Sequence, residues 1–183
     1  GFHDIQGFGY RQMDLDSDEL DALVTYQVGA IMTFAKAYHM EIEHVRPHGA
    51  MYRQASEDIE FSRTIAKAIK KCSKWLVYYG ATSDNLAQIA EEENIQVAHE
   101  VHLEKIYDDK GNIDFSARDL ENTGISIQRL KDLIQNSQVT NNVGGKTIVR
   151  ADSIHFSNKL SNAKELIAQA YDIVEPLPYN YRN

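Results

Sequence analysis

The chain has 183 residues, 43% of them hydrophobic and 25% charged, proportions ordinary for a water-soluble domain. Its 19 basic against 27 acidic residues leave a formal charge of -8, with no basic stripe to neutralise phosphates, so nucleic acid is excluded as an expected partner. No apolar run approaches the roughly 20 residues that cross a bilayer, and no charged-then-apolar leader opens the sequence, so a cytoplasmic protein is expected.

The lone cysteine, Cys72, excludes an internal disulfide and a Cys-rich metal site. It falls at the end of a helical pattern, where a packed thiol is the expectation over a catalytic one. The opening Gly1-Phe2-His3-Asp4 reads as the middle of a loop, and a preceding segment is expected.

In chain order, apolar residues recur at helical spacing over 16–39, and Asp16 with Glu19 forms a capping-box pattern. Residues 41–45 lean to strand and run into a loop at Pro47. The stretch 58–72 is amphipathic helix, and its lysines Lys67, Lys70, Lys71 and Lys74 read as a solvated face. A strand at 75–79 closes on Gly80, and Ser83 caps a helix reaching Asn94. Residues 96–102 form another strand, 108–112 a turn and 126–135 a helix. The turn 141–145 leads to a strand at 147–151 and a last helix near 161–174.

Helices alternating with short strands predict a parallel sheet, because neighbouring parallel strands need a crossover that a helix supplies. The class is therefore α/β in a single domain, an open sheet and a barrel both remaining admissible. Either architecture places chemistry at the carboxyl ends of the strands.

Three segments there are rich in reactive groups. In His44-Val45-Arg46-Pro47-His48-Gly49, strand geometry points His44 and Arg46 to one face, while Gly49 admits close backbone approach. An imidazole can move a proton near neutral pH and a guanidinium can clamp a carboxylate. A hydrogen-bonded structural His44 and a loop-capping His48 are the plain alternatives. In Glu100-Val101-His102-Leu103-Glu104-Lys105, the carboxylates can orient a histidine or bind a cation, or else form a surface ion-pair cluster. Asp152 and His155 offer another carboxylate and imidazole, or a turn and a packed ring. The glycines of 4–11 match no nucleotide-cradling fingerprint, and the seven histidines show no zinc spacing such as H-E-x-x-H. A metal site assembled from distant segments stays open.

Taken in order, the segments resemble the LamB/YcsF family. Its P-D-x-x-G-F-G-R-R is similar to residues 3–11, its y-Q-x-G-A-L to 26–31, and its H-V-K-P-H-G-A-L-Y to the run from His44 to Tyr52. Its E-x-F-A-D-R-x-Y resembles the run from Glu100 to Tyr107, and its a-D-S-I-C-V-H-G-D resembles 151–158. The resemblance covers the whole chain as the C-terminal three-quarters or so of the family domain, with the first barrel units missing.

What the resemblance implies is a distorted β/α barrel related to polysaccharide deacetylases. It also implies a hydrolase component of an ATP-dependent 5-oxoprolinase, which opens the lactam of 5-oxoproline to glutamate with subunits B and C. ATP would act through that complex; a divalent metal and self-association are left open. On this pattern the catalytic candidates are His44, His48 and Glu104, and the substrate-binding ones Arg46, Gly49, Tyr52, Lys105 and Arg11. The chain departs from the family where His155 is followed by Phe156, Ser157 and Asn158 rather than by H-G-D. Two other readings fit the same fold: a metal-dependent deacetylase or amidohydrolase working without ATP, and a non-catalytic binding protein of the complex.

Overall fold

The structure is a computed structural model, and it describes residues 1–120 and 125–174. The chain divides into two compact units, Gly1–His99 and Glu100–Asn183. Among the described residues no helix is long and apolar enough to cross a membrane.

The first unit opens with a loop and then α1 (Ser17–Ala37). The capping box forms as the sequence predicts: Asp16 accepts from the Glu19 backbone N–H while the Glu19 side chain accepts from that of Asp16. Strand β1 shrinks to His44–Val45, shorter than the expected run, and α2 (Ala50–Glu57) fills what reads in sequence as a loop. α3 (Ile59–Cys72) starts at the N-cap Asp58, β2 is Val77–Ala81, and α4 (Asp84–Glu93) runs from the Ser83 cap to a left-handed Asn94.

β1 and β2 pair in parallel, His44 opposite Val77, and the Tyr78 N–H donates to the Gln96 carbonyl at the entrance to β3 (Val97–His102). α1 packs on α3, and α3 on α4. Leu20, Ile65, Ile69 and Ile89 are at most 1% exposed in this core, each contributing about 2 kcal/mol by leaving water. Inside it the Tyr78 and Ser62 hydroxyls lie 2.9 Å apart, and burial pushes the Tyr78 phenol up to about 12. Cys72 is half-buried and burial likewise raises its thiol pKa, the opposite of what a nucleophile needs.

The lysine face of α3 is tied to neighbours on its own unit. Lys71 pairs with Asp21 at 2.7 Å and Lys67 lies 3.6 Å from Glu93, while Arg63 binds Glu60, Glu92 and Glu93.

The second unit holds the end of β3, then α5 (Ile127–Asn136), β4 (Gln138–Thr140), β5 (Lys146–Ile148), β6 (Ser153–His155) and α6 (Ala163–Val174). β3 and β6 pair in parallel, as the alternation of elements predicts. The expected parallel strand at 147–151 is instead one arm of an antiparallel hairpin, β4 with β5. The reason is local: the turn at 141–145 closes on itself through Asn141, whose side chain accepts from the Gly145 N–H at 2.6 Å. Five residues cannot carry a parallel crossover. Leu130, Leu133, Leu166 and Tyr107 are buried here, with α5 packed on α6.

Gly49 ties the opening loop to α2. Its φ of 62° is left-handed, and a Cβ there would clash with the Gly9 carbonyl oxygen. Gly49→Ala should lower stability by about 2 kcal/mol, read as a fall in the urea midpoint, whereas Asp16→Ala should cost about 1 kcal/mol through loss of the cap.

Candidate functional site

Strand period two places Glu100 and His102 on the same face of β3. The parallel register then sets Glu100 opposite Ser153 and His102 opposite His155 on β6. The two imidazole rings stack with centroids 4.3 Å apart. Just past the strand, Glu104 turns back beneath both, and its Oε1 lies 3.2 Å from the Nδ1 of His102 and 3.2 Å from that of His155. On the other side of the ring, His102 Nε2 lies 3.1 Å from Glu100 Oε2.

Tyr107 holds this strand end in place. The His102 backbone N–H donates to the Tyr107 hydroxyl at 2.8 Å, and that hydroxyl donates to the His102 carbonyl at 3.2 Å. Burial raises the Tyr107 phenol, so it stays protonated and able to donate.

The cluster is largely buried and charge-dense. Glu100, His102 and Glu104 are all buried, while His155 is half-buried. Burial opposes a charged His102, but hydrogen bonds to Glu100 and Glu104 outweigh it and the imidazole pKa rises. Burial also opposes a charged Glu104, and the hydrogen bonds from His102 and His155 overcome this and hold it well below the usual carboxylate range. Glu104 is lopsided: Oε1 serves two imidazoles, and Oε2 is buried with no hydrogen-bond partner among the described residues. Such an orphan acceptor costs about 1–3 kcal/mol, more when charged.

Of the residues singled out by sequence, Glu104 is thus at the centre of this cluster. Lys105 points elsewhere: its Nζ binds both oxygens of Asp119, at 2.8 and 2.7 Å, and lies over the Phe115 ring. The surface ion-pair alternative for 100–105 therefore holds for Lys105 and fails for the buried Glu100 and Glu104.

The remaining candidates belong to the first unit. His44 lies against Tyr79, ring centroids 4.5 Å apart, and Arg46 sits 4.4 Å over the Tyr52 ring. Both His44 and Arg46 border a cavity of about 240 Å³ that is otherwise lined largely by apolar residues such as Val24, Val28 and Met51. His48 faces other neighbours. Its Nε2 donates to the Phe8 carbonyl at 2.9 Å and its ring meets Tyr10 edge-on, so the two histidines of the motif have different surroundings. Gly49 brings the backbone against Gly9, with the Ala50 N–H donating to the Gly9 carbonyl at 2.9 Å. Arg11 grips Asp4 through two nitrogens, a bidentate pair reinforced by the Gly7 N–H at 2.9 Å from Asp4 Oδ1.

His102 and His155 are the members that sequence reasoning noted without choosing. They stand far apart in the chain, and only the β3–β6 register signals their meeting.

Parallel strands that end on a buried, charge-dense cluster define an α/β protein of the strand-end-site class. Within it the chain belongs to the LamB/YcsF family, whose family model matches residues 1–177. It is 30% identical to the 5-oxoprolinase A component of Staphylococcus carnosus (strain TM300) over 92% of this chain and 68% of that protein. It is 34% identical to the 5-oxoprolinase A component of Staphylococcus epidermidis, again over 92% and 68%. Among solved structures, the lactam utilization protein from Thermus thermophilus superposes with a TM-score of 0.80 at 30% identity, covering 96% of this chain and 71% of that one. The fold is the α/β one that the resemblance implies.

The Asp4–Arg11 pair gives the opening loop a pH dependence. Hydrogen bonding to Arg11 lowers the Asp4 carboxyl to about 2 from 3.8, so its contribution to stability is present above pH 4 or so and lost as pH falls through about 2. The gap in thermal midpoint between the native protein and Asp4→Asn should stay constant above about pH 5 and close towards pH 2.

Proposed function

We propose that this chain acts as the A component of a 5-oxoprolinase, working with subunits B and C to open the lactam of 5-oxoproline to glutamate at the expense of ATP. The observation that carries the reading is the family membership, with relatives named as the A component of 5-oxoprolinase aligned over nearly the whole chain. The buried carboxylate–imidazole cluster supports it as a place where protons can be moved.

A γ-lactam carbonyl is a weak electrophile. Transfer of the ATP γ-phosphoryl group to the lactam oxygen activates its carbon, and a first water then adds there. The ring C–N bond breaks with its electron pair going to nitrogen, which takes up a proton. The acyl phosphate left behind loses phosphate to a second water. The sum is one 5-oxoproline, one ATP and two waters giving glutamate, ADP and phosphate.

In this scheme Glu104 orients a proton-transferring imidazole, a contribution of about 10²–10⁴ in rate. His48 or His44 is the base of the first unit, where Arg46 supplies a cation for the substrate's carboxylate. Gly49 and Tyr52 shape the start of α2 beside Arg46, and Arg11 and Lys105 act through the acidic partners that hold them.

A second reading is favoured by one observation, the gathering of candidate ligand atoms of two histidines and Glu104 within 4.8 Å of one another. It is a metal-dependent amide hydrolysis that runs without nucleotide.

The test is glutamate release from 5-oxoproline by the full-length protein with B and C, with and without ATP. ATP-coupled release is expected, cut by about 10²–10⁴ in Glu104→Gln. Release without ATP would sink the first reading in favour of the second, and undiminished turnover in His48→Ala would remove that residue as the base.

A further inference from the structure

We infer that His102, Glu104 and His155 form a binding site for one divalent transition-metal ion of the zinc class. Two imidazoles and one carboxylate are the donor types such ions select, and three protein ligands leave a coordination position for water or a substrate oxygen. No sequence spacing announces the site, because its third member comes from another strand.

The geometry is close to what an ion requires. A tetrahedral ion with bonds of about 2.0 Å holds its ligands about 3.3 Å apart. Glu104 Oε1 already stands 3.2 Å from each Nδ1. Ligand atoms of all three residues lie within 4.8 Å of one another.

Two further observations point to a ligand rather than to a self-sufficient hydrogen-bond cluster. The Glu104 side chain is 3% exposed, yet its Oε2 has no hydrogen-bond partner among the described residues. A buried carboxylate oxygen left over beside two imidazoles has its natural partner in a cation. His102, meanwhile, is dressed as metal-binding histidines are: its far nitrogen lies 3.1 Å from the Glu100 carboxylate, which fixes the ring and aims Nδ1 at the centre. The Tyr107 hydroxyl clamps the backbone of the same residue.

Access is provided on one side. The His155 side chain is 34% exposed against 7% for His102, so an ion can enter past His155 and keep its open position there. The inference concerns ion binding and stands apart from the lactam reading.

The experiment uses the full-length protein, stripped with chelator and titrated with Zn²⁺ by calorimetry and with Co²⁺ by visible absorption. One ion per chain and intense four-coordinate Co²⁺ bands are expected. His155→Ala should weaken Zn²⁺ binding by more than about 100-fold and Glu100→Gln by about 10–100-fold. His3→Ala, which alters an exposed histidine outside the cluster, should leave it unchanged. Circular dichroism checks folding, and His155→Gln replaces His155→Ala if the latter unfolds. Absence of stoichiometric binding, unchanged affinity in the folded His155 variant, or an equal loss in His3→Ala would each overturn the site.

Discussion

The parallel register between β3 and β6 is the constraint on which the site depends. Pairing Glu100 with Ser153 and His102 with His155 brings together groups far apart in the chain of the second unit. It fixes their faces as well as their distance, since alternate residues of a strand share a side. Glu104 could not serve two imidazoles through one oxygen if either ring were on the other face.

Burying such a set is expensive in a low-dielectric interior, and the structure offsets the cost by mutual neutralisation. His102 lies between two carboxylates, and each interaction favours the charged form of its partner. The first unit handles charge differently. There the bidentate grip of Arg11 on Asp4 and the fan of Glu60, Glu92 and Glu93 about Arg63 each set one largely buried group, Asp4 or Arg63, against at least one partner that solvent reaches.

Much of the helical framework was legible because its signals are local. Asp16 with Glu19 and Ser83 read as caps, Asp58 and Ser126 open helical runs, and the helices begin one residue after Asp16, Asp58, Ser83 and Ser126. α2 was not legible: Gly49 reads as a flexible loop residue, and nothing nearby reveals that docking against Gly9 lets a helix start there. The hairpin was missed for a related reason, since the strand run near 147 carries no mark of its partner's direction. In the site, Glu104 could be singled out from its neighbours, but His102 and His155 could not be joined without knowing the register. The pairing of His44 with His48 as one reactive unit came from proximity in the chain, whereas each ring takes its own neighbours in space.

The strand alternation that assembles the cluster also restricts how this gene can change. Inserting or deleting a single codon between Glu100 and His102 would turn one of the two to the opposite side of the sheet, stranding a charged group in the apolar layer. Two codons would restore the facing but carry the ring past His155 by one full repeat of the strand. Length variation is therefore excluded from the stretch of β3 between Glu100 and His102, whose reading frame behaves as a fixed ruler.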